Sequence, residues 1–205
     1  MKTEPIFVAD WTMQQAWLAQ PEPDLLPAQV RVGWRRDALV IEAELADRDI
    51  FNPVTEFNQA AFNEGDVFEI FLRPEWQQTY FEFHVTPGNQ LLQLRFADAQ
   101  HIRQLPNVGT LDERLAANKI WKSRITSSVR VDAAAQRWFV SVAIPFAMVV
   151  ETGTMQPGAR WLCSFCRYDY TRGRAQPVLS STSPHAHCNF HRQEEWQPIP
   201  FPGRE

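Results

Sequence analysis

Hydrophobic and polar residues alternate with a period of two along much of this chain, which is the pattern of antiparallel β-strands. The clearest case is the segment NEGDVFEIFLRPEWQQTYFEFHVTPG between residues 63 and 88. It predicts two strands, at 66–72 and 80–85, joined as a hairpin. Acidic residues inside these apolar strands need partners, because burying an unpaired carboxylate is costly. The hairpin is therefore both a signal of the fold and the first place to search for a site.

The same alternation predicts further strands on both sides of this hairpin, separated by turn residues, at 29–34, 39–45, 92–96, 121–131, 138–144 and 160–168. Helix is expected only in short pieces, at 11–18, 111–116 and 146–150. About nine or ten short strands with minor helix predict an all-β sandwich or barrel. No linker divides the chain, so residues 1–205 are expected to form a single domain, with an N-terminal lead-in at 1–28 and an irregular tail at 171–205.

Composition excludes several classes of function. The chain has 205 residues, of which 44% are hydrophobic and 12% aromatic, enough for a large core. The net charge of -4 comes without a basic stripe, so no nucleic-acid partner is expected. No apolar run is long enough for a membrane span, and the N-terminus lacks the apolar stretch of a signal peptide. These features, with only three cysteines, favour a cytoplasmic location. They indicate no oligomeric state.

The order of motifs resembles a known family. The chain contains, in sequence, LVIEAELADRDI, NEGDVFEIFL, YFEFHVTPGN, WFVSVAIPF, PGARWLCSFCRYD and a Ser-rich stretch that closes on NFH. This order, from about residue 30 to residue 201, resembles the family 9 carbohydrate-binding modules and the wider group of family 9-like (DOMON-like) domains. The resemblance implies a two-sheet antiparallel β-sandwich that binds a carbohydrate ligand and has no catalytic activity.

The resemblance also implies a set of ligand-binding positions. Family members hold a sugar ring between two tryptophans, and neither is present here. Asn63, with Phe62 beside it, occupies one Trp position. Ser181 occupies the other, in the stretch that ends with Phe190. The family's polar partners are matched by Glu69, which keeps the carboxylate of the GD-x-x-E motif, and by His84, which replaces an arginine.

Charged and aromatic residues outside these motifs leave alternatives open. Arg167 is a charge within an apolar strand, so it either reaches a sugar or an anion or forms an internal ion pair with Glu69 or Asp169. Tryptophans near turns could supply a stacking platform that differs from the family's, and those at strand starts are expected in the core. The first group is Trp34, Trp76 and Trp196, and the second is Trp121 and Trp138.

Metal and haem sites are weaker candidates. Cys163 and Cys166 precede a group of possible zinc ligands, which leaves a Cys₂His₂-type zinc site as a weak candidate, because residues three apart on a strand point to opposite faces. The group that follows them is His185, His187, Cys188 and His191. A site of two histidines from His185, His187 and His191 is a weaker alternative. Family members use structural calcium, and oxygen ligands for it could come from Asp47, Asp49 and Asn52. A haem would need a Met–His pair, from Met13, Met148 or Met155 with His84 or His101.

No catalytic motif is present: the chain lacks a nucleophile elbow, a phosphate loop and an H-E-x-x-H helix. Glu69 and Glu82 could form a glycosidase pair, but solvent-facing strand charges are the favoured interpretation. The leading hypothesis is a non-catalytic carbohydrate-binding module that uses Glu69, His84 and Arg167, provided that these three side chains converge. The alternatives are an interaction or structural sandwich that has lost the sugar site, and a haem- or metal-binding sandwich.

Overall fold

The computed structural model describes residues 4–151 and 158–201, which form two antiparallel sheets packed face to face. The eleven strands within these ranges are β1 Ile6–Thr12, β2 Ala28–Trp34, β3 Ala38–Ala46, β4 Val67–Pro74, β5 Tyr80–Val85, β6 Leu91–Phe96, β7 Thr126–Asp132, β8 Arg137–Pro145, β9 Arg160–Asp169, β10 Val178–Ser181 and β11 Gln197–Pro200. Helix is limited to α1 Leu111–Leu115, α2 Phe146–Val149 and three short 3₁₀ turns, at His101–Gln104, Ala116–Asn118 and Gln193–Glu195. The predicted two-sheet antiparallel β-sandwich with minor helix is confirmed.

Strand order defines the two sheets. Sheet A runs β1-β2-β3-β8-β7, and sheet B runs β10-β9-β4-β5-β6, with β11 also paired to β9. The predicted hairpin of the opening motif is β4 and β5, paired antiparallel at the centre of sheet B. β9, next to β4, comes from a distant part of the chain, and β6, next to β5, follows it directly in sequence, so the side chains of the hairpin lie in the middle of a continuous face.

The main core lies between the sheets and follows the period of two. From sheet B it receives Phe68, Ile70 and Leu72, and from sheet A it receives Leu39 and Ile41, all fully buried. Because these β4 positions face inwards, the residues between them face outwards.

The outer face of sheet B is also covered by protein. Phe71, Tyr80 and Phe96 on this face form a second buried cluster with Phe190 and Trp196. The two covering residues come from the segment between β10 and β11. Leu115 of α1 adds to the same cluster. Sheet B is therefore buried on both sides over much of its area.

The N-terminal and C-terminal segments differ from expectation. The helix predicted at 11–18 is wrong, because β1 already pairs with β2 through Thr12 and its Trp11 ring packs against Phe165 at 6.0 Å between centroids. The tail was predicted to be irregular, yet β10 and β11 both pair with β9. In both cases pairing with a strand formed elsewhere in the chain overrides the local pattern.

The burial of three tryptophans also differs from the prediction. The strand predicted at 121–131 begins only at Thr126, which leaves Trp121 60% exposed rather than in the core. Trp34 and Trp196 are buried rather than exposed, whereas Trp138 is buried and Trp76 is partly exposed as predicted. No helix in the described ranges has the length and apolarity to cross a membrane.

Candidate functional site

A row of four side chains crosses the outer face of sheet B. It runs from Ser181 on β10 through Cys166 on β9 and Glu69 on β4 to His84 on β5, each paired in register with the next. The row follows from strand geometry, because Glu69 lies between inward-facing residues and must point outwards. Three predicted site residues, Glu69, His84 and Ser181, therefore share one row.

Glu69 and His84 form a buried polar cluster with Glu82. The Nε2 atom of His84 lies 3.4 Å from Glu69 Oε1 and 3.4 Å from Glu82 Oε1. Glu69 is 3% exposed and His84 is 1% exposed, so these charges have little contact with solvent. The Phe62 ring approaches His84 edge-on at 5.5 Å between centroids, which brings a third predicted residue into contact with the cluster.

Burial controls the protonation of this cluster. It raises the pKa of Glu69 to about 7, against the opposing effect of His84. Burial also lowers the pKa of His84, but the two carboxylates outweigh it and the net pKa is raised above the ordinary value. The cluster can therefore exchange a proton near neutral pH, and it retains positive charge between the two glutamates more readily than an isolated imidazole would.

Two polar atoms of the cluster lack hydrogen-bond partners among the described residues: His84 Nδ1 and Glu82 Oε2. Buried unpaired polar atoms are costly, and each one calls for a water, an ion or a ligand. Sequence analysis did not include Glu82 in the site, although it has the same outward parity on β5 as His84. Tyr168 was also missed. It is half-buried, and its ring lies 5.9 Å from that of Phe62 at the edge of the cluster.

The remaining predicted residues lie apart from this cluster. Ser181 is fully buried, and its Oγ is 3.0 Å from Ser164 Oγ. Phe190 is buried in the outer hydrophobic cluster, where it contacts Phe71 and Tyr168. Asn63 is exposed and lines a cleft beside α1 instead.

Comparison with known proteins tests the family resemblance. No family model matches the sequence, and no curated protein matches it. Among solved structures, a proposed carbohydrate-binding protein from Bacteroides uniformis matches with a TM-score of 0.67 at 13% identity, covering 95% of this chain and 86% of that one. A family 9 carbohydrate-binding module from Caldicellulosiruptor kristjanssonii matches at 14% identity in two complexes. In the complex with cellotriose the TM-score is 0.59, and the match covers 95% of this chain and 83% of that one. In the complex with glucose the TM-score is 0.60, and the match covers 95% of this chain and 85% of that one.

The chain has the fold of the family 9 carbohydrate-binding modules. The similarity extends over nearly the whole chain and confirms the resemblance seen in the order of motifs. At such low identity it establishes the fold alone, so the site must be judged from the side chains of this chain.

In this family 9-like sandwich, Arg167 does not join Glu69 and His84. Cys166 is the residue that faces Glu69 across the strands, so Arg167 points to the opposite face of β9. There its Nη2 lies 3.2 Å from Asp47 Oδ2 and 3.1 Å from Asp169 Oδ2. The expected convergence of the three side chains is wrong, whereas the predicted ion pair with Asp169 is present.

Arg167 belongs to a second buried charge cluster. Carboxylate oxygens of Asp47, Asp66 and Asp169 lie within 4.8 Å of one another, and all three residues are buried. Burial, followed by the charge of Asp47, raises the pKa of Asp66 to about 8, although Phe51 and Tyr170 donate backbone hydrogen bonds to it. Burial raises the pKa of Asp169 to about 7, against the effect of Arg167.

This geometry does not fit the calcium that the fold family implies. The guanidinium of Arg167 is already within ion-pair distance of two of the three carboxylates, so a divalent ion would have to share the space with a buried cation. The other proposed ligands are engaged elsewhere: Asp49 pairs with Arg172, and Asn52 Oδ1 accepts a hydrogen bond from the Val54 amide. Calcium stays a prediction that these contacts do not favour.

The weak zinc candidates are dispersed. Cys163 lies in the main core and Cys166 on the outer face of sheet B. Nε2 of His185 is near Ser164, and His191 Nδ1 is 3.2 Å from the Tyr80 hydroxyl. Within the described residues, His185, His187 and His191 do not belong to a group of three ligating side chains.

The haem candidates are separated by sheet B. Met13 belongs to the main core and His84 to the outer face, so they cannot ligate one iron from opposite sides. Met148 packs against the main core, and the His101 ring packs against Phe96. Met155 lies outside the described residues.

A Ser–His–Glu arrangement was missed by sequence analysis. Ser164 Oγ is 3.3 Å from His185 Nε2, and His185 Nδ1 is 3.0 Å from Glu195 Oε2. The order of atoms matches a hydrolase triad. Ser164 is fully buried, however, and its hydroxyl also contacts Ser181 and Cys166, so it is engaged in packing contacts within the fold. The contacts instead attach the segment between β10 and β11 to sheet B.

Proposed function

We propose that this domain is a non-catalytic carbohydrate-binding module whose ligand contacts the outer face of sheet B at Glu69, Glu82 and His84. The observation that carries the proposal is the pair of unpartnered buried atoms, His84 Nδ1 and Glu82 Oε2, on that face. Sugar hydroxyls both donate and accept hydrogen bonds, so one ring could satisfy an imidazole nitrogen and a carboxylate oxygen together. The C. kristjanssonii module of the same fold was solved with glucose and with cellotriose.

Phe62 and Tyr168 would frame this ligand. Both are half-buried, and Phe62 contacts His84 directly. An aromatic ring presents an apolar face on which the C–H face of a pyranose can stack. Because Glu69 and His84 are almost fully buried, side chains that cover them would have to move before a sugar reaches them, and part of the binding energy would be spent on that movement.

Calorimetric titration with glucose and cellotriose tests the proposal. We expect saturable binding by the wild-type protein and an affinity at least about tenfold lower for Glu69→Gln and for His84→Ala, since each removes a charged hydrogen-bonding partner worth about 1.5 kcal/mol or more. Glu42→Gln is the matched control, because Glu42 lies on β3 in the other sheet and pairs there with Arg31. Heats that stay flat for both sugars and for a wider oligosaccharide panel would refute the proposal.

An interaction module without a sugar site is the second candidate. The observation in its favour is the cover on sheet B, where Phe190 and Trp196 pack over the outer face and leave Glu69 only 3% exposed. On this hypothesis the Glu69–His84 pair is a structural ion pair. The wild type would then bind no sugar, while Glu69→Gln would lower the thermal unfolding temperature.

A further inference from the structure

Two aromatic side chains form an exposed pair beside β6, an edge strand of sheet B. Trp121 is 60% exposed and Phe57 is 47% exposed, and their ring centroids lie 6.2 Å apart at an interplanar angle of 65°. The two residues come from different connections, the loop before β4 and the segment between α1 and β7. Singly exposed aromatics are common on protein surfaces, but a pair assembled from two distant segments is more informative.

Buried polar contacts hold both segments in place. Asn58, next to Phe57, is buried and has a positive φ of 63°. Its Nδ2 donates to the Ile120 carbonyl at 3.0 Å, and its Oδ1 accepts from the Gln93 amide of β6 at 2.9 Å. Gln90 donates to the carbonyls of residues 56 and 59 in the same loop. These hydrogen bonds order the backbone that carries the exposed rings, so less conformational entropy is lost when a ligand binds.

Lys119 links the aromatic pair to a polar cleft, which neither of the two rings lines. Its volume is about 270 Å³, and its lining includes Gln59, Asn63, Glu64 and Asp112. Asp112 Oδ1 accepts from the Ala60 amide at 3.0 Å and from Lys119 Nζ at 2.6 Å. Nζ of Lys119 is in turn 5.9 Å from the Trp121 ring centroid. The Lys119–Asp112 ion pair thus connects the cleft to the exposed rings.

We propose that the Phe57–Trp121 pair and this cleft form a second carbohydrate subsite, which takes one pyranose unit of a neutral sugar. Stacking on an exposed aromatic face selects a ring with an apolar C–H side. The carboxylates of Glu64 and Asp112 accept hydrogen bonds from hydroxyls and repel anionic ligands. The cleft volume lies just below the range of pockets for drug-sized ligands, which suits a single ring. The inference rests on the proposed sugar-binding function, but the subsite is separate from the Glu69–His84 row.

Indole signals in ¹H–¹⁵N NMR spectra provide the test. The protein has eight tryptophans, and the signal of Trp121 is identified by its loss in Trp121→Phe. During titration with methyl glucoside and cellotriose, we expect the Trp121 signal to shift saturably. Phe57→Ala should weaken binding reported by this signal about tenfold, and Trp121→Ala should lower the calorimetric affinity for cellotriose by a similar factor, because each removes an aromatic contact.

Two variants serve as controls in the same titrations. Trp76→Ala also removes a partly exposed tryptophan, but in the turn that follows β4, whereas Phe57 lies in the loop that precedes β4. It should keep the Trp121 response within about twofold of the wild type. Glu42→Gln should do the same, since Glu42 lies on β3 in sheet A and pairs there with Arg31.

The outcomes separate this inference from the proposed function. A Trp121 signal that stays fixed while cellotriose binds, with binding abolished by Glu69→Gln, overturns the subsite and supports the proposed site on sheet B. A Trp121 shift that survives Glu69→Gln and is lost in Phe57→Ala supports the subsite. Absence of any sugar response in the wild-type protein overturns both.

Discussion

Replacing Arg167 with methionine is expected to destabilise the domain by about 3–5 kcal/mol, because it removes the only cation in contact with Asp47 and Asp169 in the described structure and leaves buried carboxylates unpaired. For a protein of this size the loss corresponds to a decrease in the melting temperature of roughly 10 °C. Urea unfolding followed by tryptophan fluorescence, with circular dichroism as a second probe, measures the change in free energy. Methionine is chosen because it keeps most of the side-chain volume, so the effect reports charge rather than a cavity.

Two further variants isolate the electrostatic cause. Arg31→Met removes an exposed ion pair with Glu42 in the other sheet and should cost no more than about 1 kcal/mol. Adding Asp169→Asn to Arg167→Met should recover part of the lost stability, because it removes one of the uncompensated charges. Two results would contradict this electrostatic explanation. One is a free energy of unfolding of Arg167→Met that lies within about 1 kcal/mol of the wild type. The other is a double variant, Arg167→Met with Asp169→Asn, that is less stable than Arg167→Met alone.

The fold could be predicted because strand alternation survives in the sequence wherever a face is buried. Phe68 and Ile70 are separated by Glu69, and this spacing alone placed the apolar pair in the core and the carboxylate on the other face. The same rule, applied to β9, would have separated Arg167 from Glu69 once the β4–β9 register was known. That register joins residues about a hundred positions apart, and no local pattern contains it.

Burial of the outer face could not be predicted for a related reason. A strand with Tyr80, Glu82 and His84 on one side is typical of a face exposed to solvent. Here the cover comes from Phe190 and Trp196, far along the chain in a segment without periodicity. Trp121 shows the reverse case: its position at a presumed strand start favoured the core, but the strand begins five residues later. A local pattern indicates on which face of a strand a side chain lies. Whether solvent or protein covers that face depends on tertiary packing.

Stability is expected to fall as pH rises from 6.5 to 8, the reverse of the usual effect of paired carboxylates. Burial raises the pKa of Asp66 to about 8, and those of Asp169 and Glu69 to about 7. In the unfolded chain these groups ionise near pH 4. The folded state therefore binds more protons than the unfolded state across this range, and its advantage is lost as pH rises through the folded pKa values. His84, whose pKa is also raised, contributes with the same sign.

The size of the effect follows from proton counting. One extra proton on the folded state changes stability by about 1.4 kcal/mol per pH unit, so Asp66 alone gives a decrease of about 2 kcal/mol between pH 6.5 and 8. His185 has a pKa lowered by burial and acts in the opposite direction, but only below about pH 6.5, outside this window. Urea titrations at constant ionic strength at pH 6.5, 7.2 and 8 measure the slope. Asp169→Asn removes one of the contributing groups and should make the slope shallower. Stability that is constant or rises over this interval in the wild-type protein would show that these carboxylates are ionised in the folded state, each held by a partner strong enough to overcome its burial.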